Sequence, residues 1–498
     1  MTKEKKEESK DNVNLVQQGE LKQPSLLASA VAFASVIIPL IISGFLGTIS
    51  IHACLILSTV LICIIGKKST GASSDKMMGF MSKSIEKATF GLWFFVAIGA
   101  IIGTWMLSGT VPAIIYYGLG FLTPQLFVPL GFVLCSVTAL STGSSWTTIG
   151  TVGVALMGIG EGLGVPVTVV AAIVVGGATF GDKMSPISDI PNLACMGAGS
   201  EIYETIRAMM ITMMPSYIIA FILYTILGFK FAGGQADMMV AEQTREVIAN
   251  TFNLGPIVFL PIILIVVLNL KKVPPLPSMA AAVATAMAVA VFYQGQALST
   301  AIDCLYSGYF GETGSDFVDQ ILNRGGLQSM FWSFTLTFLA LSLGGLLDRL
   351  GFISVIIESL VAKAKSVGQL SLLVVTTSVM SAAAFADTYM PIVLNGTIYK
   401  KEFDKRGLKR CMLARLTSEG VHMWAPLMVW NGFGAFAASA LGITPDQYIQ
   451  YAYLNIIVPF VSVGMSFMGL GVMWNNPKNK GKRKFADVDL SEEPVFDD

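Results

Sequence analysis

The chain has 498 residues, 54% of them hydrophobic and only 13% charged, with 32 basic and 32 acidic side chains that cancel. A soluble protein of this size carries about a quarter charged residues, so the composition points to a membrane and away from a soluble enzyme. Six scattered cysteines, at 54, 63, 135, 195, 304 and 411, show no C-x-x-C or metal-ligand spacing, which argues against a disulfide framework or a metal cluster.

Residues 1–25 interleave lysines with acids, lack an apolar core and read as a disordered cytoplasmic tail rather than a signal peptide. Ten apolar segments long enough to span a bilayer follow, at 26–44, 46–66, 90–117, 166–198, 209–229, 253–270, 278–298, 329–348, 417–440 and 450–474. Two more, 128–161 and 369–398, are interrupted by Thr142-Gly-Ser-Ser-Trp-Thr-Thr148 and Phe385-Ala-Asp-Thr-Tyr389. Their arms of about 13 to 17 residues reach only ~20–25 Å against a hydrocarbon core of ~30 Å, so both read as re-entrant hairpins. Residues 475–498 turn basic and then acidic and read as a second disordered cytoplasmic tail.

With both ends inside, 28 of the 32 basic residues fall on the inner segments, and only Lys230, Arg245 and Arg324 fall outside. Positive charge marks the cytoplasmic face. The basic run Lys400 to Arg415 then reads as a solvated inner loop, not a nucleic-acid patch. At an offset near 242, Gly103 falls on Gly345 and the 143–145 break on Phe385-Ala-Asp387; at 240, Pro186 falls on Pro426. Segments 90–117 and 329–348 run in opposite directions, so the repeats, 26–229 and 253–474 joined by an extracellular linker at 230–252, are inverted. The expected fold is an all-α polytopic membrane protein of the inverted-repeat secondary-transporter class, with about ten transmembrane helices, two re-entrant hairpins and broken helices at the midplane.

The stretch Gly177 to Leu193 places Asp182, Lys183 and Asp189 at membrane depth. An ionised side chain at the bilayer centre costs from about 2.5 to more than 10 kcal/mol, so such acids are functional candidates. Pro186 and Pro191 remove backbone donors and open the helix, leaving carbonyls and the hydroxyls of Ser185 and Ser188 inside. An interrupted helix carrying oxygens and two acids has the composition of a cation site. Nothing matches H-E-x-x-H, a nucleophile elbow or a phosphate loop, so an enzyme is not expected.

Thr142-Gly-Ser-Ser-Trp-Thr-Thr-Ile-Gly150, Phe180-Gly-Asp-Lys-Met-Ser-Pro-Ile-Ser-Asp189, Ala386-Asp-Thr-Tyr-Met-Pro-Ile392 and Ala425-Pro-Leu-Met-Val-Trp-Asn431 resemble motifs of the NhaC-type sodium/proton antiporter family, over residues 26–474. The resemblance implies a multi-pass protein of the bacterial cytoplasmic membrane, without a cofactor, exchanging sodium for protons; some members couple this to malate and lactate. Its motif residues fall on Thr142, Ser144, Ser145, Trp146, Asp182, Lys183, Ser185, Ser188, Asp189, Asn192, Asp387, Tyr389, Trp430 and Asn431. The chain departs from the family at Ser188-Asp-Ile-Pro-Asn192, which lacks two hydroxyls, and at Glu419-Gly-Val-His-Met-Trp-Ala-Pro426.

A hard ion such as sodium takes several oxygens, and a carboxylate that binds it also binds a proton. Asp182 is expected to be the shared site, Asp189 and Asp387 second carboxylates, and Ser185, Ser188, Ser144 and Ser145 neutral ligands, with Lys183 as charge partner. His422, opposite Asp182 in the repeat, and Glu419 are candidate proton carriers. Thr142, Trp146, Thr388, Tyr389 and Asn431 are candidates at the hairpin tips, where backbone amides near Gly143 and Thr388 offer an alternative anion site. The competing structural roles are an ion pair between Asp182 and Lys183, a helix cap at Asp387 and plain packing for Trp146 and His52. Expected partners are lipid, sodium and protons, with a small carboxylate under the alternative reading and a homodimer as the assembly. A cysteine placed at Gly311 is expected to react with an impermeant reagent added outside intact cells and one at Lys405 is not; equal labelling of both would refute the topology.

Overall fold

The computed structural model describes residues 21–46, 49–231, 235–271, 273–361 and 364–489. Most of the expected first tail and the end of the second, 1–20 and 490–498, lie outside the described residues. Among those described, the chain is helical, with only two isolated β-bridges. This is what a bilayer imposes, since a helix satisfies its backbone groups internally.

In chain order the helices are α1 (Leu26–Leu46), α2 (Ile51–Thr70), α3 (Ser74–Leu107), α4 (Thr110–Phe121), α5 (Pro124–Thr142), α6 (Ser145–Thr148), α7 (Val154–Gly162), α8 (Val167–Met184), α9 (Asp189–Ala198) and α10 (Ile202–Lys230). Then come α11 (Gln235–Thr251), α12 (Leu260–Leu270), α13 (Pro275–Phe292), α14 (Leu298–Ser307), α15 (Asp316–Leu322) and α16 (Gly326–Arg349). The chain ends with α17 (Phe352–Val361), α18 (Val367–Phe385), α19 (Tyr389–Lys405), α20 (Arg410–Val421), α21 (Gly432–Leu441), α22 (Pro445–Tyr448) and α23 (Tyr453–Met468). Among the described residues eight helices are long and apolar enough to cross a membrane, and up to 11 spans result if each bent helix pair counts as one.

Several boundaries differ from the sequence reading. The segment 90–117 is not one span: α3 starts at Ser74, where Ser73 caps it, and Gly109 in the left-handed region separates it from α4. The linker 230–252 contains α11, and the loop 299–328 contains α14 and α15. The first hairpin arms, α5 and α18, are 19 residues each, long enough to cross, because Pro124 at a helix start and the Ser366 cap set their beginnings earlier than hydropathy does. The expected spans 166–198 and 417–440 are broken at 185–188 and 422–431. The tail from 475 is not disordered through 489. Trp474 packs edge-on against Phe485, Val367 N–H donates to Arg483 O at 3.0 Å, and Asn479 hydrogen-bonds the backbone of Asp489.

Four helix starts in each half repeat at one spacing. Start positions 124 and 367, 167 and 410, 189 and 432, and 202 and 445 are each 243 apart. Sequence offsets of 240 and 242 miss this because the break after α8 is shorter than the break after α20, so their prolines are not equivalent. At 243, His422 matches Thr179 rather than Asp182. The two hairpin tips match: Gly143 and Ala386 each turn the chain in the left-handed region, at φ 67° and 52°. Ala386 is the only such non-glycine residue among those described, and its Cβ makes that conformation cost free energy at the second tip.

Close packing holds the broken helices to the hairpins. Gly177-Ala-Thr-Phe-Gly181 lays α8 against α5 so tightly that a Cβ on Gly181 would lie 2.3 Å from Ser136 O, and one on Gly177 2.5 Å from Phe132 O. Small residues four apart allow this backbone approach. Gly99 and Gly103 of α3 meet Gly325 and Gly326 in the same way. Replacing Gly181 by Val is expected to lower thermal stability in detergent by about 2 kcal/mol or more through overpacking against backbone; an unchanged melting temperature would contradict this contact.

Candidate functional site

The breaks and tips converge on one cavity of about 630 Å³. Proline and serine chemistry builds its polar end. Helix α8 stops at Met184, Pro186 prevents continuation, and Ser188 restarts the helix as the cap of α9, accepting from Ile190 N–H at 3.1 Å. Asp182, 5% exposed, therefore lies in the last turn before the break. Its Oδ2 accepts from the Ser145 hydroxyl at 2.5 Å, and its Oδ1 accepts from the Ser188 hydroxyl. One carboxylate thus gathers a hydroxyl from the hairpin tip and another from the helix break.

Asp182, Asp189 and Asp387 all line the cavity. Tyr389 also lines it. Asp189 is exposed to the cavity, while Asp387 accepts from Met390 N–H at 2.9 Å and so also caps α19. His422 reaches the same space: it is 1% exposed, neither ring nitrogen has a hydrogen-bond partner, and Nε2 is 3.6 Å from Asp182 Oδ2. The lining also carries the aromatic rings of Phe94, Phe95, Trp146 and Phe433. Trp146 stacks on Phe436 with centroids 4.4 Å apart and packs against Phe433 and Phe94. Thr142, Ser144 and Thr388 line the tips.

Other expected site residues face elsewhere. Lys183 pairs with neither Asp182 nor Asp189; its Nζ lies 3.6 Å from Glu419 Oε1, with both side chains fully buried. Glu419 also accepts from the Thr212 hydroxyl. One turn earlier on α20, buried Arg415 donates from Nη1 to Gly471 O at 2.9 Å. Successive helix positions point about 100° apart, so adjacent Asp182 and Lys183 serve two separate clusters, and Glu419 sits in the second. Ser185 is buried without a hydrogen-bond partner and does not line the cavity. Asn192 braces the break, donating to Ser188 O at 2.6 Å and Pro186 O at 3.1 Å. Asn431 caps α21 and donates to Ala382 O at 3.0 Å, and Trp430 donates to Ala383 O at 2.8 Å, so both buttress the second tip. His52 bonds to Trp332 O and Thr335 and does not line the cavity.

Hydropathy gave no sign of Phe94, Phe95 and Phe433, which line the cavity from α3 and α21. Asn269, a lone polar residue ending the apolar run 253–270, also lines it, next to Val273 and Pro275; its polarity was the available signal.

The Na+/H+ antiporter family model matches residues 21–190 and 177–470. The chain is 32% identical over 434 residues to the Na(+)/H(+) antiporter NhaC of Alkalihalophilus pseudofirmus, covering 87% of this chain and 93% of that one. It is 34% identical over 417 residues to the arginine/ornithine antiporter ArcD of Halobacterium salinarum, covering 83% and 86%. To the malate-2H(+)/Na(+)-lactate antiporter of Bacillus subtilis it is 32% identical over 398 residues, covering 80% and 84%.

Removing one member of a buried ion pair strands the other charge at a cost of about 3–5 kcal/mol. Glu419→Gln is therefore expected to destabilise the protein strongly in thermal unfolding, and Lys183→Met in the same chain to recover most of the loss; additive losses would show that the two charges are not coupled.

Proposed function

The chain belongs to the Na+/H+ antiporter family, and we propose that it exchanges sodium for protons across a bacterial cytoplasmic membrane at one carboxylate, Asp182. The observation that carries this reading is the setting of Asp182: buried, lining the cavity, held by two serine hydroxyls from separate chain breaks, and unpaired with any lysine or arginine.

With sodium in the site, the Asp182 carboxylate supplies the negative charge, and the Ser145 and Ser188 oxygens turn their lone pairs to the ion. Hard cations favour such an all-oxygen set. With a proton in the site, the neutral carboxyl keeps hydrogen bonds to the same two hydroxyls. The bare carboxylate is the costly form at membrane depth. A conformational change that crosses the membrane is therefore favourable only when one ligand or the other is bound, which makes the exchange obligatory. Inverted repeats provide two related conformations for such a cycle, with the site at their interface. Both termini lie in the cytoplasm on this reading, as the positive-charge bias requires.

Exchange of small carboxylates, the alternative from the sequence, finds less support. No lysine or arginine among the described residues lines the cavity, Lys183 is committed to Glu419, and the tips near Gly143 and Thr388 are capped by Ser144 and Asp387. An anion entering this space meets three acids.

In proteoliposomes, Asp182→Asn is expected to lower sodium-driven proton flux by about 100-fold or more, and Ser145→Ala to raise the sodium half-saturation by about tenfold for the loss of one charged hydrogen bond. Sodium exchange by Asp182→Asn at the wild-type rate would remove Asp182 as the coupling site.

A further inference from the structure

The cavity holds more negative charge and more space than the sodium site uses. Asp182, bonded to its two serines, is one of three acids on the lining, which also carries Asp189, Asp387 and Tyr389. About 630 Å³ falls within the range of pockets for small organic molecules and greatly exceeds the volume of a single sodium ion. The same lining carries Phe94, Phe95, Trp146 and Phe433. Aromatic faces attract organic cations and shield their alkyl chains, and they ligate sodium poorly. His422 adds an independent sign of a ligand: it is 1% exposed, lines this space, and neither ring nitrogen makes a hydrogen bond, the nearer carboxylate oxygen of Asp182 lying 3.6 Å from Nε2. Its unprotonated nitrogen can accept a hydrogen bond from an ammonium group.

The same residues restrict what else the ligand carries. Four helix starts surround the breaks, those of α6, α9, α19 and α21, and each is capped by one of the protein's own side chains: Ser144, Ser188, Asp387 and Asn431. With these N-termini occupied and no lysine or arginine among the described residues of the lining, a ligand carboxylate finds no partner among them. An amino acid would bring an uncompensated anion among three acids. An aliphatic amine or diamine brings only cations.

We propose that Asp189, Asp387 and Tyr389, with the aromatic rings of the lining, form a second cation site that takes an aliphatic diamine. This rests on the antiport reading only in sharing its cavity. The diamine places one ammonium between Asp189 and Asp387, lays its methylene chain along Trp146 and Phe94, and extends the other toward Asp182 and His422. Bound in this way it competes with sodium.

The probe is putrescine, compared with ornithine, which has the same two ammonium groups on a similar chain plus a carboxylate, and with malate. Two readouts are taken on the full-length protein: binding of radiolabelled putrescine to purified protein, and inhibition of sodium-driven proton flux in proteoliposomes. Putrescine is expected to bind and to inhibit competitively with sodium, ornithine to act at least about tenfold more weakly, and malate not to act. Asp387→Asn keeps a capping oxygen for Met390 while removing the charge. It is expected to weaken putrescine at least about tenfold more than it weakens sodium, with Asp387→Glu retaining putrescine binding. Absence of putrescine binding, equal potency of ornithine, or equal weakening of both cations by Asp387→Asn would overturn the proposal. Putrescine binding by a protein without sodium–proton exchange would overturn the antiport reading and leave the amine site standing; exchange without putrescine binding would do the reverse.

Discussion

The structure depends on holding a carboxylate inside a membrane without a basic partner. Asp182 is stabilised by hydroxyls, from Ser145 and Ser188, instead of by a salt bridge. A lysine in contact would neutralise the acid permanently and remove its need for a mobile cation, whereas hydroxyls leave the charge in place and only orient it. Two chain breaks are needed to bring these groups together, because an unbroken helix presents its side chains outward and keeps its backbone oxygens engaged. The breaks cost backbone hydrogen bonds, and side chains restore many of them: Asn192, Asn431 and Trp430 each donate to carbonyls beside a break or tip.

Charge is partitioned by the helical twist. Asp182 faces the cavity, and Lys183, its neighbour, joins Glu419 and Arg415 in a closed polar cluster. That cluster is poorly satisfied: the Lys183 ammonium makes no hydrogen bond, and one Glu419 oxygen and two Arg415 nitrogens have no partner. An ion pair with such geometry repays little of its desolvation cost. It nevertheless keeps the Lys183 ammonium off Asp182 and Asp189, which under the proposed antiport mechanism leaves those acids to a transported cation.

Glycine packing gives these arrangements their precision. At Gly177 and Gly181 the backbone of the broken helix lies against the backbone of the hairpin that carries Ser145, so the two serines approach Asp182 from rigidly related elements. The shared spacing of 243 between four pairs of helix starts fits one design built twice, with different chemistry at each copy. The first tip turns through Gly143 and offers serines; the second turns through Ala386 and offers an acid and a tyrosine.

Much of this was legible in the residues themselves. Sustained hydropathy fixed the membrane setting, because only helices of about 20 apolar residues satisfy a bilayer. Proline beside charged residues located the break at Asp182, and the Gly-Ser-Ser and Ala-Asp-Thr interruptions located the tips, since these residue types oppose a continuing helix. Side-chain direction was not legible. Whether Lys183 faces Asp182 or Glu419, whether Asn192 lines the cavity or braces the turn, and which phenylalanines wall the pocket depend on helix rotation and on contacts between segments distant in the chain. Hydropathy sums over a helix without regard to its faces. The spatial meeting of residues 145, 182, 188, 387 and 422 was therefore decided by tertiary packing alone.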